Sequence, residues 1–352
     1  MRKFALTISF VLMGLVPAVN CLAQDIFETE KGLYSTAALT ASSTGGKQKK
    51  LVIKSASTLA GTITITVAEQ KDVTLTYYKR ARAESRSRAI DYIDLLAVGI
   101  TTLPEYVRLE LRAPNPAPWG NDVESGMIDA EVVVPEGYAV EMEATYYNLV
   151  ARGPLRSVVV QSSLGRFDVA DVTEELELET KNRRVKIENI SGRISVSTTN
   201  AALVGSGIDS QGQTAVFRNE GGDIKIDNYS GGINLKNSFG RTVITNFRPS
   251  GESNFIRGAS GPVTLEISEM KTGQLVVNNR YEDINLTIPD TLSGYLSLSV
   301  DDDGRIEAVN FPFTADLVER DRLSLSTGPG NVKIIGSIRG KGNIYVRGTK
   351  GD

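Results

Sequence analysis

The sequence predicts an all-β fold, a single-chain β-solenoid or parallel β-helix-like repeat with an N-terminal β-rich cap that contains one helix. Two observations predict this fold. From about residue 153 onward, a glycine is repeatedly followed by four or five residues in which apolar and polar side chains alternate. Such alternation is typical of a strand with one buried face. The 33 glycines among 352 residues suit short strands joined by tight turns.

The glycine phrases recur at nearly regular steps. From Gly222 the steps are 10, 8, 21, 12, 10, 11 and 10 residues, so they cluster near ten with one gap near twice ten. A fixed short unit of strand plus turn indicates a solenoid, in which each coil stacks on the previous one. The phrases begin at Gly165, Gly192, Gly222, Gly232, Gly240, Gly261, Gly273, Gly294 and Gly304, with glycine-free copies at residues 184–187 and 283–286.

An asparagine series runs beside the glycines. Asn219, Asn228, Asn237 and Asn246 lie nine residues apart, and Asn189 lies further upstream. Asparagine tolerates left-handed backbone geometry and bonds turn backbone groups through its amide. The even spacing therefore favours one shared structural role at equivalent corners over a ligand site.

The first half of the chain is less regular. Strands are expected at residues 50–55, 61–68, 73–79, 106–112, 127–134 and 139–146. Residues 85–98 read as the one helix, because Ile90, Ile93, Ala97 and Ile100 would share a face and Pro104 would stop it. We expect an irregular cap, since an open solenoid end exposes apolar core and unpaired strand edges. The boundary is placed near residue 135, giving a cap of residues 24–135 and a solenoid of residues 136–352.

The N-terminus has the pattern of a secretory signal peptide at residues 1–23. Arg2 and Lys3 precede an apolar run, and small residues occupy the −3 and −1 positions before Gln24, so cleavage is expected after Ala23. A membrane anchor and a lipid on Cys21 are the alternatives. The run is short for an anchor, and Asn20 is a poor match to a lipidation signal.

Composition excludes several kinds of chemistry. The chain has no histidine, which removes His-based general bases, Ser-His-Asp and Cys-His systems and most zinc sites. Cleavage after Ala23 would remove the single cysteine together with Arg2 and Lys3, leaving 37 basic against 42 acidic residues, a net charge of −5. We therefore expect no nucleic-acid partner, no later transmembrane segment and no cofactor, and we assign no catalytic, cofactor-binding or metal-ligating residue.

The chain resembles the bacterial "putative adhesin" family. The signal peptide, the entry at residues 133–137 and the serial phrases such as residues 191–196 carry the resemblance, as does the closing stretch from Ser324 to Val346. It covers roughly residues 130–350. The resemblance implies an envelope β-solenoid and surface attachment, and it supplies no catalytic motif.

Charged residues form one alternating cluster. Three glutamates alternate with two leucines, which predicts carboxylates on the outer face of a strand and leucines inside. If the next strand-like stretch pairs with this one, acid lies over base. We favour a solvated face of paired charges over a cation or substrate patch. The residues are Glu175, Leu176, Glu177, Leu178, Glu179 and then Lys181, Arg183, Arg184 and Lys186.

Asp301, Asp302 and Asp303 form the densest acidic cluster and precede Gly304. Calcium prefers several carboxylate oxygens. However, successive side chains of a strand point opposite ways, so a turn is favoured over a cation site.

Two other features have a functional and a structural interpretation. Trp119 on a proline-rich loop is either a sugar-stacking platform or, as we favour, a plug against the core. The basic run at Lys79, Arg80 and Arg82, with Arg86 and Arg88, is either a contact for acidic lipid or glycan or, as we favour, a solvated helix start.

These observations favour an exported, non-enzymatic binding or scaffold protein of a bacterial envelope, periplasmic or on the cell surface. Its partner is a surface protein, a glycan or another copy. The alternative is a polysaccharide-acting parallel β-helix enzyme, a lyase or hydrolase, which would need two carboxylates flanking the scissile bond. A groove with two converging acids and a nearby Lys or Arg would favour the enzyme, and a flat patterned face would favour the binder.

Overall fold

The computed structural model describes residues 25–44, 49–119, 123–301, 303–310 and 315–349. Within these ranges the fold is all-β, with 28 strands and one helix, as the sequence predicted. The expected signal peptide lies outside the described residues. No helix in the described ranges is long and apolar enough to cross a membrane.

The first part of the chain contains twelve strands and the helix. They are β1 Ile26–Glu30, β2 Leu33–Thr36, β3 Leu39–Ser43, β4 Lys50–Ser55, β5 Ala60–Ala68, β6 Val73–Arg82, α1 Arg86–Asp94, β7 Ala97–Thr102, β8 Val107–Arg112, β9 Ser125–Pro135, β10 Ala139–Ala144, β11 Tyr146–Arg152 and β12 Leu155–Ser162.

The remaining strands are longer and more regular at first. They are β13 Phe167–Lys181, β14 Val185–Ser191, β15 Arg193–Thr199, β16 Leu203–Asn219, β17 Ile224–Asn237, β18 Thr242–Pro249, β19 Ser253–Gly258, β20 Val263–Ile267, β21 Gly273–Asn279, β22 Ile284–Pro289, β23 Gly294–Val300, β24 Ile306–Val309, β25 Ala315–Val318, β26 Arg322–Ser326, β27 Val332–Ile338 and β28 Ile344–Thr349.

Parallel pairing arranges most strands in two ladders, which we call column A and column B. Column A runs β8, β4, β10, β12, the second half of β13, β15, the second halves of β16 and β17, β19, β21, β27 and β23. Column B runs β9, β5, β11, the first half of β13, β14, the first halves of β16 and β17, β18, β20, β22, β28 and β24.

Register explains the ten-residue phrase. In column B, Val185 pairs with Leu203, Leu203 with Ile224, Ile224 with Thr242 and Thr242 with Val263. Each phrase is one strand or one half of a long strand such as β17, and the next phrase belongs to the other column. Paired strands are therefore two phrases apart in the chain, and the register step is about twice the phrase length.

Both columns supply one hydrophobic core. Leu176 and Leu178 from column A are fully buried, as are Val185 and Ile187 from column B, and all four belong to the same cluster. Burying a leucine or valine side chain contributes about 1.5–3 kcal/mol each. The cluster extends across residue 135, so residues on both sides of the expected domain boundary share this core.

Turn glycines are needed for two different reasons. Gly192 has a φ of +96°, the left-handed region that favours glycine, as the sequence predicted. Gly261 is instead required by close approach, because a Cβ there would lie 2.0 Å from the Gly240 carbonyl oxygen. Each substitution would strain the turn or push adjacent strands apart.

The helix is shorter than the predicted residues 85–98, and the prediction is wrong for residues 95–98. Helix α1 spans only Arg86–Asp94, with the Ser85 hydroxyl accepting a hydrogen bond from the Arg88 N–H, and it buries Ala89, Tyr92 and Ile93. Residues 97–102 form strand β7 instead, antiparallel to β8. Val98, Ile100 and two threonines are β-branched, which favours a strand once a partner edge is available.

Antiparallel strands cover both ends of column A and the β9 end of column B. At one end β6 pairs with β9 and in turn with β2 and β3, while β7 covers β8. At the other end β26 pairs antiparallel with β23, and β25 pairs with β26. These strands cover edges that the parallel ladders would otherwise leave open.

The nine-residue asparagine series separates into two structural classes. Asn219 and Asn237 are registered partners in column A and are buried. Asn228 and Asn246 are exposed in column B and have φ values of +55° and +50°. The prediction of one shared corner is therefore wrong, because alternate members of the series belong to different columns.

Candidate binding face

The outer face of column A carries two parallel rows of side chains. Residues two apart on a strand point to the same side, and registered residues of neighbouring strands form a row. We call Arg218, Lys236 and Arg257 the cationic row and Val216, Asn234, Phe255 and Val276 the apolar row. Both rows follow from the registers of β15, β16, β17, β19 and β21.

Three positive charges occupy consecutive rungs in the cationic row. All three side chains are exposed, and neighbouring strands lie about 4.8 Å apart. Two unit charges at about 5 Å repel by roughly 0.8 kcal/mol in water. Within the described ranges, none of the three forms an ion pair of 4.0 Å or less. The row is therefore a site of unneutralised positive charge.

The apolar row lies beside these cations. Val216, Phe255 and Val276 are half-buried, so each presents part of its side chain to solvent. The Arg257 guanidinium lies 5.1 Å from the centre of the Phe255 ring, within the range of a cation–π contact. Charge and an aromatic surface thus meet in adjacent rows of one sheet face.

The opposite end of the same face is acidic and internally paired. Lys50 lies 2.5 Å from Glu141 and Lys54 lies 4.0 Å from Glu143, each pair on registered strands. Exposed ion pairs of this kind contribute at most about 1 kcal/mol each. Acids and bases neutralise one another there, in contrast to the cationic row.

A groove of about 450 Å³ lies at this acidic end. Its lining includes Lys54, Glu143, Gln161, Glu179 and Lys181. Glu143, Gln161 and Glu179 are successive partners in column A and all three are exposed. The two carboxylates therefore project from one sheet face, two strands apart, with Gln161 between them.

The predicted arrangement of acid over base is wrong. Leu176 and Leu178 are buried, as expected, but the glutamates pair with β15, where Glu175 forms an ion pair with Arg193. The stretch with Arg184 and Lys186 lies in column B, beside residues 167–170. Consecutive phrases alternate between the columns, so the second half of β13 and strand β14 are not neighbours in a ladder.

The aspartate cluster is only partly described, because Asp302 lies outside the described residues. Asp301 donates its backbone N–H to the Ile338 carbonyl, and the Asp303 carbonyl accepts from Arg320. In the described part of the chain, no group of three or more His, Cys, Asp or Glu is placed to hold a metal ion.

Trp119 is a plug, as favoured from the sequence. Its indole N–H donates to the Thr58 carbonyl at 3.2 Å, and its ring meets the Tyr92 ring edge-on at 5.6 Å. A Cβ on Gly126 would lie 2.6 Å from the indole. The loop is therefore fixed against the core.

The basic run before the helix is also partly absorbed into the fold. Arg80 pairs with Asp129 at 2.7 Å, and Arg88 pairs at 3.0 Å with the buried Glu124 carboxylate. The Arg86 side chain donates to the Ile26 carbonyl. These contacts hold the strands around the helix, so the run does not form a separate unpaired patch like the cationic row.

One carboxylate on column B has a perturbed acidity. Asp227 accepts hydrogen bonds from the Thr245 hydroxyl at 2.6 Å and the Asn246 amide at 2.9 Å. These bonds stabilise the charged form, so they lower the pKa of Asp227 below its ordinary value.

Comparison with known proteins gives similarity to solved structures alone, because no protein-family model and no curated protein sequence matches the chain. A putative adhesin from Bacteroides fragilis is 11% identical, with a TM-score of 0.34, over 88% of this chain and 97% of that one. A putative cell adhesion protein from Clostridium sporogenes is 8% identical, with a TM-score of 0.23, over 89% and 99%.

A putative adhesin from Parabacteroides merdae is 10% identical, with a TM-score of 0.27, over 88% and 95% of the two chains. The chain is similar to bacterial putative adhesins. Identities and scores this low transfer no site or activity to this chain.

Sequence reasoning missed the cationic row. Its members are far apart in the chain, and the strand registers bring them onto adjacent rungs. A signal was present, because Arg218 and Lys236 each precede one of the buried asparagines. Recognising the two-strand period would have placed these charges side by side.

Proposed function

We propose that this protein is an exported, non-enzymatic binding protein of a bacterial envelope, and that the cationic row binds an extended acidic glycan. Residues 1–23 would serve as its signal peptide, residues 24–135 as a β-rich cap and residues 136–352 as a β-solenoid. The protein would act in the periplasm or on the cell surface. The unneutralised cationic row is the observation that carries the binding proposal.

The parallel registers support the solenoid. Pairing between strands two phrases apart recurs in both columns from β13 to β20, and in a solenoid each coil contacts mainly its neighbours. Antiparallel strands at each end would act as the caps that such a stack requires.

An acidic glycan fits both rows together. Like charges on neighbouring strands are unfavourable, and an extended chain with regularly spaced carboxylates or sulfates would neutralise them in order. The partly exposed Phe255 ring offers the kind of apolar surface on which the C–H face of a sugar packs. A face without a deep cavity suits a long chain that lies across several strands.

The enzyme alternative is supported less well. Glu143 and Glu179 both line the acidic groove, but they project from the same sheet face and would lie on one side of a substrate. A glycoside hydrolase places its two carboxyl groups on opposite sides of the scissile bond. Both are also exposed, whereas a carboxyl general acid usually lies in an apolar site.

Binding to a soluble polyuronate, with a neutral glucan as the control polymer, tests the proposal. We expect salt-sensitive binding to the polyuronate and at least a 10-fold weaker affinity in the double variant Arg218→Glu, Lys236→Glu. Lys225→Glu is the matched control, because Lys225 is an exposed strand cation on column B. If the double variant binds as tightly as the Lys225 variant, the cationic row is not the site.

A further inference from the structure

The last two strands do not follow chain order in space. In sequence, β21 and β22 are followed by β23 and β24, and only later by β27 and β28. In space, β27 lies between β21 and β23, and β28 lies between β22 and β24. The segment Val332–Thr349, which we call the insert, therefore occupies a slot between two coils that were already formed by earlier residues.

The slot is complete only with the insert. β27 forms parallel pairs along seven residues with β21 and the same seven with β23, and β28 pairs with β22 and β24. Without the insert, four strand edges would face an empty gap. Unpaired edges of this kind recruit another strand.

The insert fits the slot through shape and burial. Val332, Ile334, Ile338, Ile344 and Val346 are all buried in the core. Gly336 packs closely at its rung, because a Cβ there would lie 2.7 Å from the Leu298 Cδ2 atom and the leucine side chain would have to shift. The same segment of a second, identical chain would therefore make every one of these strand pairs and core contacts.

A short exposed connection leads into the insert. Residues 327–331 join β26 to β27, and residues 328–331 are exposed. Gly328 has a φ of +114° and is followed by Pro329 and Gly330. A segment joined to the fold through a short hinge is the arrangement in which copies of a protein exchange identical elements at low cost, because the contacts remain the same.

We propose that the insert exchanges between copies of this protein, so that Val332–Thr349 of one copy fills the slot of another. The hinge at residues 327–331 opens, and every strand pair made by the insert is re-formed between chains. Reciprocal exchange gives a dimer, and one-way exchange gives a chain of copies. This proposal is independent of the glycan-binding proposal, since it rests on topology and not on the cationic row.

Crosslinking between two single-cysteine variants tests the exchange. Val276 and Ile335 are registered partners across the slot. In a Cys21→Ser background, one population carries Val276→Cys and the other Ile335→Cys. The populations are mixed, incubated at high concentration and treated with a short thiol crosslinker. We expect covalent dimers, and a several-fold higher yield when residues 328–330 are deleted, because a strained hinge favours exchange.

Two controls make each outcome decisive. A single chain carrying both cysteines should crosslink internally, which shows that the variants fold with the insert in place. A mixture of Ser195→Cys and Val216→Cys copies, whose sites are registered partners far from the insert, should give no dimers. Internal crosslinking without any dimer from the Val276 and Ile335 mixture, even after the hinge deletion, would overturn the proposal.

Discussion

Replacing Asn237 with alanine probes the row formed by the buried side chains of Asn219 and Asn237 in column A. The Asn237 side-chain amide donates to the Gly240 carbonyl at 3.1 Å and the Gly222 carbonyl at 3.2 Å, and it lies 3.2 Å from the Thr242 hydroxyl. Its neighbour Asn219 makes the equivalent bonds one strand earlier in column A, to the Ala201 and Gly222 carbonyls. The row therefore ties each turn to the next.

The expected cost follows from which groups lose a donor. The Gly222 carbonyl keeps its bond from Asn219, whereas the Gly240 carbonyl loses the Asn237 amide. A fully buried acceptor left without a donor costs about 1–3 kcal/mol, and the Gly240 carbonyl is partly buried. The Asn237 Oδ1 atom is itself buried without a partner in the described structure, so its removal offsets part of this cost. We expect Asn237→Ala to lower the free energy of unfolding by about 1–2 kcal/mol.

Urea unfolding and hydrogen exchange together measure the effect. Exchange should rise by about tenfold for each 1.4 kcal/mol lost locally, first in β16, β17 and β19, which pair around Asn237. Strand β5 should change little. Lys236→Ala is the matched control, since an exposed substitution usually changes stability by at most about 0.5 kcal/mol. Equal, silent results for both variants would refute the structural role of the row.

Three other outcomes are expected. The hydrogen bonds that lower the pKa of Asp227 stabilise the fold at pH values above the unfolded-state pKa, and this stability is lost as the pH falls through the folded-state pKa. Asp227→Asn should therefore reduce the fall of the urea unfolding midpoint on acidification, and an unchanged fall would contradict this. A strong chelator should leave the melting temperature unchanged, whereas a large drop would indicate a cation near Asp301 and Asp303. Mass spectrometry of the envelope protein should find an N-terminus at Gln24, and a lipid-modified Cys21 would contradict cleavage after Ala23.

Strand identity was predictable because it depends on local alternation. Glu175 and Glu177 are outside and Leu176 and Leu178 are inside, as a two-residue period requires. Pairing was not predictable in the same way. A ten-residue phrase fits either a ladder of consecutive strands or two columns that alternate, and the charges opposite Glu175 differ between the two.

Contacts between segments distant in the chain determined the features that the local sequence pattern did not predict. Ala97 and Ile100 fit a helical face, yet they joined a strand because the edge of β8 was available. Likewise, no local feature of residues 332–349 indicates that β27 lies between β21 and β23, or that β28 lies between β22 and β24. The cationic row depends on registers that join every second phrase, so it emerged only when the strands were aligned.

Amine-reactive labelling in the presence of a soluble polyuronate tests directly whether the cationic row binds an acidic glycan. Lys236 lies within the cationic row, while Lys225 is an exposed lysine of the same strand, β17, on column B. We expect the polymer to protect Lys236 from labelling, in a way that depends on polymer concentration and is weakened by salt. Labelling of Lys225 should not change. Equal labelling of both lysines with and without the polymer, at concentrations where binding is detected, would contradict a binding site on the cationic row.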